Sequence, residues 1–127
     1  MSAFATLNLK NQAGTEVAFA PAQIDPSTKI ARWLASGSSY DAKPSAQIVV
    51  DLPKNGSTRI KVKGKVSIPV MDPIDASKRI DENLCAFEFS LSKTSVLLDR
   101  QNLRAHIADF LTDAVVVAAI EQFEAVY

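Results

Sequence analysis

The chain has 127 residues, no formal net charge and a hydrophobic content of 47%, which fits one compact domain with a real core and excludes a disordered chain. A neutral chain has no global attraction for nucleic acid or membranes, so such binding requires a local patch of charge. The single cysteine, Cys85, excludes an internal disulfide and a cysteine-based zinc site. The longest apolar run is shorter than the about 20 residues of a membrane span, and the N-terminus lacks a signal-peptide pattern. We therefore expect a soluble protein with no membrane partner.

The first part of the chain predicts a β-hairpin and then a strand. Apolar and polar residues alternate on both sides of the sequence NQAG, which ends in Gly14 and is typical of a turn. We place the hairpin at residues 4–21, where Pro21 closes its second arm. Residues 22–29 are predicted as a loop, and Ile30–Ala35 is predicted as the third strand.

The middle of the chain predicts the central hairpin of a sheet. Between Lys43 and Leu52 the even-numbered residues are apolar and predict the buried side of a half-buried strand. The odd-numbered residues form the opposite side and are polar, with Val49 as the exception. Asn55-Gly56 predicts a tight turn, because type I′ geometry needs positive φ at both central residues. The return strand again has apolar residues at even positions, although Gly64 interrupts them and predicts a bulge or a close approach by another backbone. Its odd positions carry four successive cations, Arg59, Lys61, Lys63 and Lys65.

The last part of the chain changes from strand to helix periodicity. After a long loop, another strand alternates through Phe87 and Phe89, and we place the sheet at residues 29–92. Two amphipathic helices are predicted within residues 96–123. This order predicts a single domain over residues 1–127 with an α+β fold: an N-terminal β-hairpin plus an antiparallel five-stranded sheet with two C-terminal α-helices on one face. One such chain leaves apolar sheet uncovered, which predicts a two-fold dimer whose helices cover the partner's sheet.

The opposite face of the predicted sheet is polar and basic. Cations about 6.8 Å apart along a strand repel one another, and phosphates relieve this repulsion while counterions are released. Neighbouring polar side chains have the chemistry to bind bases or phosphates. The alternative is a solvated face whose lysines keep the sheet soluble and prevent edge pairing. The candidates on this face are Lys43, Ser45, Gln47, Asn55, Ser57, Arg59, Lys61, Lys63 and Lys65.

No other group of residues in the sequence predicts chemistry. His106 and Asp109 are one helical turn apart but have no nucleophile beside them, so they do not indicate catalysis. The acidic residues of the long loop lack the spacing of a calcium loop, and no glycine-rich phosphate loop is present. Trp33 is interpreted as a core anchor and Cys85 as a small core residue. We expect no enzyme activity, no metal site and no cofactor.

In this order, the elements resemble one family, the coat proteins of single-stranded RNA bacteriophages of the levivirus type. The segments that carry the resemblance span the chain: ATLNLKNQAGTEVAFAP, KIARWLASGSS, AQIVVDLPKNGSTRIKVKGKVSIPV, PVMDPIDASKRIDEN and the terminal AVY. The resemblance implies an interlocked homodimer whose continuous sheet faces the capsid interior. It further implies an icosahedral shell, the virion, around genomic RNA bound to that sheet. A translational-operator RNA hairpin is implied on the same face.

Position by position, the resemblance adds Glu88 to the candidate RNA contacts and includes Lys43, Ser45, Gln47, Asn55, Ser57, Arg59 and Lys61. The chain departs from the family pattern at three positions. Leu84 stands where some relatives have a base-stacking aromatic, Ala86 replaces a polar contact, and Val49 replaces a basic one. Stacking is worth about 1–3 kcal/mol per base, so these changes affect operator recognition, whereas genome packaging needs only the basic face. A small dimeric RNA-binding regulatory module that forms no particles is the alternative function.

Overall fold

The computed structural model describes residues 4–37, 39–53 and 58–125. Within these residues, six strands form one sheet in chain order and two helices follow, which confirms the α+β class. The elements are β1 Leu7–Lys10, β2 Glu16–Ile24, β3 Ala31–Ala35, β4 Ser45–Asp51, β5 Arg59–Met71, β6 Arg79–Ser92, α1 Leu97–Phe110 and α2 Ala114–Gln122. The chain divides into two compact units, the first of which ends at Ser90. The single domain predicted over residues 1–127 stays a prediction.

The N-terminal hairpin is an integral part of the sheet. Its turn is as predicted: the Asn11 side chain accepts two backbone hydrogen bonds of 3.1 Å, and Gly14 has a φ of 81°. However, β2 does not end at Pro21 but continues to Ile24 and pairs with β3. A register shift between Pro21 and Gln23 accommodates the proline, which has no amide hydrogen to donate. The predicted hairpin plus five-stranded sheet is therefore corrected to one sheet of six strands within the described residues.

The core of the first unit lies where the hairpin meets β3 and β4. Its buried residues are Phe19, Trp33, Ala35 and Ala46. Phe4 packs edge-on against Trp33, with ring centroids 5.2 Å apart, and the Trp33 indole N–H donates to the Ala5 carbonyl at 2.8 Å. The segment before β1 thus folds onto the sheet, and the prediction that Trp33 anchors the core is confirmed.

The same apolar face becomes exposed farther along β4. Ala46 is 5% exposed, whereas Ile48, Val50 and Leu52, which follow it on the same side, are 38%, 52% and 72% exposed. The register pairs Val50 with Val62 of β5, so the exposed patch extends across two strands. We call this surface the open apolar patch; it consists of Ile48, Val50, Val62 and, on β6, Phe87 and Phe89.

A glycine on β5 accommodates an aromatic ring from β6. A Cβ atom built on Gly64 would overlap the Phe87 ring, so only glycine fits beneath that ring. The close approach at Gly64 is thus made by a side chain, and the predicted bulge or approach by another backbone is wrong. Phe87 also packs edge-to-face against Phe89, with centroids 5.6 Å apart. The thiol of Cys85 on the same strand is exposed, so its assignment to the core is wrong for the single chain.

The second unit contains the two predicted helices. The Asp113 carboxylate accepts a hydrogen bond of 3.0 Å from the Val115 amide and caps the start of α2, which ends at Phe123 with a left-handed φ of 59°. Within the described chain, neither helix has a buried residue, and Leu97 and Phe110 of α1 are 61% and 59% exposed. No helix in the described ranges has the length and apolar character needed to cross a membrane.

Candidate nucleic-acid interface

The odd-numbered residues of β4 and β5 share one side of the sheet, as the alternation predicts. Gln47 lies opposite Lys65 and Val49 lies opposite Lys63, and opposed residues of antiparallel strands point to the same side. We call this side the polar face. Its residues are Arg32 on β3, Ser45, Gln47, Val49 and Asp51 on β4, Arg59, Lys61, Lys63, Lys65 and Ser67 on β5, and Glu82, Leu84, Ala86 and Glu88 on β6.

Most of the predicted contacts come together on the polar face. Two of them, Asn55 and Ser57, lie outside the described residues. Lys43 precedes β4, follows a short 3-10 turn at Tyr40–Ala42, and lines a shallow cavity on the polar face. Arg59, the first residue of β5, lines a separate depression nearer the far end of the strand pair. The predicted contacts thus fall into two groups along the sheet.

The start of β5, residues 59–63, has cations that are paired with acids from neighbouring strands. Lys61 Nζ lies 3.5 Å from Glu88 Oε1, and Lys63 Nζ lies 3.4 Å from Asp51 Oδ2. All four side chains are about half exposed, and exposed pairs of this kind contribute at most about 1 kcal/mol. The run of cations therefore has counter-charges across the strands, but these pairs are weak enough for a phosphate to displace the carboxylates.

Two basic residues that were not predicted as RNA contacts lie on the polar face or at its edge. Arg32 lies opposite Gln47, and its Nη2 donates to Gln47 Oε1 at 3.3 Å. Neighbouring residues of a strand point to opposite sides of the sheet, so Arg32 lies on the side opposite to Trp33. The sequence pattern alone therefore predicts that Arg32 belongs to the polar face. Arg79 is the first residue of β6, and no periodic pattern marks it.

The part of the polar face on β6 is poor in hydrogen-bonding groups. Leu84 is 51% exposed and, like Ala86, lies on the same side as Glu88. An exposed leucine offers apolar contact but no ring on which a base could stack. Among the described residues, no group of three or more His, Cys, Asp or Glu side chains has the arrangement of a metal site.

The levivirus coat protein family model matches residues 2–127. The chain belongs to the levivirus coat protein family. The resemblance inferred from the sequence is thereby confirmed, and as a coat protein the chain is a component of the virus particle. No curated protein sequence matches it.

Several solved structures share its fold at low sequence identity. The virus-like particle of Beihai levi-like virus 21 has a TM-score of 0.90 and 14% identity over 99% of both chains. The virus-like particle of bacteriophage ESE058 has a TM-score of 0.87 and 21% identity over 99% of this chain and all of that chain. An unassembled bacteriophage coat protein dimer, described as an RNA-binding dimer, has a TM-score of 0.74 and 15% identity over 99% of both chains.

Proposed function

We propose that this coat protein forms homodimers that assemble into an icosahedral shell and that its polar face binds the single-stranded RNA genome inside. The observation that carries the proposal is the combination of membership in a coat protein family with a cation-rich face on the central strands. The role is structural and not catalytic, in keeping with the family.

Dimer formation is supported by apolar surface that one chain leaves exposed. The open apolar patch includes Val50, 52% exposed, and Phe87, 41% exposed, while Leu97 of α1 is 61% exposed. Contiguous apolar surfaces of this kind are typical of protein interfaces. A two-fold dimer buries both surfaces if the helices of each subunit lie on the sheet of the other, because the same contact is then made twice.

RNA binding is supported by the spacing of charge on the polar face. Cations at alternate positions of one strand match a polyanion, and the adjacent hydroxyl and amide groups offer hydrogen bonds to phosphate and base. Because Leu84 carries no ring, the face supports packaging better than selective recognition of one operator hairpin. The proposed contacts are Lys43, Ser45, Gln47, Asn55, Ser57, Arg59, Lys61, Lys63, Lys65 and Glu88.

Assembly is tested by expressing the full chain and examining the purified product by size-exclusion chromatography and electron microscopy. We expect shells whose ultraviolet absorbance shows nucleic acid. A species that stays at dimer size when concentrated would contradict the capsid function and favour a regulatory RNA-binding module.

The assigned face is tested by the double substitution Arg59→Ala and Lys61→Ala. Each lost phosphate contact lowers the salt dependence of RNA binding, by a slope of about 0.7 for single strands, so particles of the variant should retain less RNA and release it at lower salt. Lys93→Ala with Arg104→Ala removes the same charge from outside the polar face and should leave RNA content unchanged. If the variant with both Arg59→Ala and Lys61→Ala matches the unaltered protein in RNA content and salt response, Arg59 and Lys61 are not RNA contacts.

A further inference from the structure

We infer that the RNA backbone is held chiefly in a basic cavity at one end of the polar face, and not along the start of β5. This inference rests on the proposed RNA binding and specifies where on the face it occurs. The basic cavity is bordered by Arg32 from β3, Lys43 before β4, Lys65 from β5 and Arg79 from β6, and has a volume of about 190 Å³. Three of its four cations, Arg32, Lys65 and Arg79, are absent from the contacts that the family resemblance provides.

The pairing of the charges, and not their number, distinguishes the basic cavity from the start of β5. The cavity brings four cations together with two carboxylates, those of Asp41 and Glu82, which leaves an excess of two positive charges. The depression along the start of β5 is bordered by Lys29, Arg59, Lys61 and Lys63, and the acids Asp51 and Glu88 also leave an excess of two. Both surfaces are concave, but Lys61 and Lys63 already lie at ion-pair distance from carboxylates, which lowers the positive potential at the start of β5.

The carboxylate of Glu82 is already engaged in the wall of the cavity. Its Oε2 accepts a hydrogen bond of 2.6 Å from Ser67, which is only 6% exposed, and lies 3.8 Å from Nη1 of Arg79. Within the described ranges, no carboxylate lies at ion-pair distance from Lys43 or Lys65. A phosphate that enters the cavity meets these two lysines without first displacing a carboxylate, unlike a phosphate at Lys61 or Lys63.

The strand register aligns the donors in one row across the sheet. Arg32, Gln47 and Lys65 are direct neighbours on three adjacent strands, so the two cations lie about two strand spacings, roughly 10 Å, apart at the backbone with the amide between them. The hydrogen bond from Arg32 to Gln47 holds the guanidinium over this row. Both cations are partly buried, which reduces screening by salt. This row has the size and charge for one phosphodiester group.

An exposed aromatic ring at the rim indicates a polynucleotide and not a free phosphate. Tyr40, in the 3-10 turn before Lys43, is 73% exposed and borders the cavity. A base next to the bound phosphate has a ring to stack on there, a contact worth about 1–3 kcal/mol. Tyr40 thus provides the stacking surface that Leu84 does not.

The test compares two double variants that remove the same charge from the same face. Arg32→Gln with Lys65→Gln alters the basic cavity, and Lys61→Gln with Lys63→Gln alters the start of β5. Binding of the full-length protein to a fluorescein-labelled single-stranded RNA is measured by anisotropy across a salt series. We expect the cavity variant to lose about tenfold more affinity near 0.1 M salt than the β5 variant, and its salt slope to fall by about 1.4. A loss in the β5 variant as large as in the cavity variant would overturn this inference but not RNA binding by the polar face.

Other arms of the experiment separate the remaining explanations. Unaltered protein that shows no salt-dependent RNA binding would overturn the proposed function itself. The charge-conserving pair Arg32→Lys with Lys65→Arg should assemble and bind within about threefold of the unaltered protein. A loss as large as that of the glutamine pair would show that charge is not the determinant.

The stacking role of Tyr40 is tested separately. Tyr40→Ala should weaken RNA binding about tenfold while Tyr40→Phe does not, and inorganic pyrophosphate should compete equally well with RNA for the unaltered protein and both Tyr40 variants. RNA binding unaffected by Tyr40→Ala would overturn the assignment of a polynucleotide to this rim.

Discussion

The apolar face of the sheet is closed at one end and exposed at the other, although one pattern of alternation produces both ends. On β4 alone, exposure rises from 5% at Ala46 to 52% at Val50. At the closed end, the hairpin and Phe4 of the same chain cover Trp33. At the open end, the described residues of the first unit provide no comparable cover. Alternation thus predicts which side of a strand is apolar, but the rest of the fold decides whether that side is buried within one chain or between two.

The open end should be the more sensitive to a buried charge. Phe89→Asp places a carboxylate against Phe87 in the open apolar patch, which we propose is covered by the partner subunit. In a two-fold dimer the substitution is present at both copies of this contact. An unpaired buried charge costs about 3–5 kcal/mol, so the variant should lose dimers and particles in analytical ultracentrifugation. Ser90→Asp changes the adjacent residue on the other side of β6 and should still assemble. Soluble particles of Phe89→Asp would contradict the proposed interface.

The closed end should respond as an ordinary protein core. Trp33→Ala removes the ring that packs on Phe4 and should lower the free energy of unfolding by about 3–5 kcal/mol, as measured by urea denaturation. Urea denaturation of all variants is measured at the same protein concentration, because the stability of a dimer depends on concentration. Trp33→Phe keeps an aromatic ring but loses the hydrogen bond to Ala5, so its loss should be smaller. If both variants lose the same free energy, packing is not what stabilises this end.

The contact between Gly64 and Phe87, which lies between the covered and the exposed ends, should give the smallest change in unfolding free energy. Gly64→Ala forces the Phe87 ring to move and should cost about 1–3 kcal/mol of unfolding free energy. Phe87→Ala makes room for the new methyl group, so the double variant should lose less than the sum of the single losses. Additive losses in this double-mutant cycle would show that the ring does not rest on the glycine.

Local periodicity accounts for most of what the sequence predicted correctly. A period of two assigns the sides of β4, β5 and β6 without knowledge of their partners, so the cations of β5 were placed on one face. Features that depend on pairing between distant segments were missed. The extension of β2 beyond Pro21 depends on its pairing with β3, and the contact between Lys61 and Glu88 depends on which strand neighbours β5. Arg79 joins the basic cavity only because β6 begins there.

The ion pairs at the start of β5 have a consequence for the subunit in the absence of RNA. Lysines at every second position would repel one another most strongly in a newly made chain at low ionic strength. The carboxylates of Asp51 and Glu88 reduce this repulsion between lysines when no RNA is bound. The sheet therefore carries part of its counter-charge within the same chain while RNA is absent.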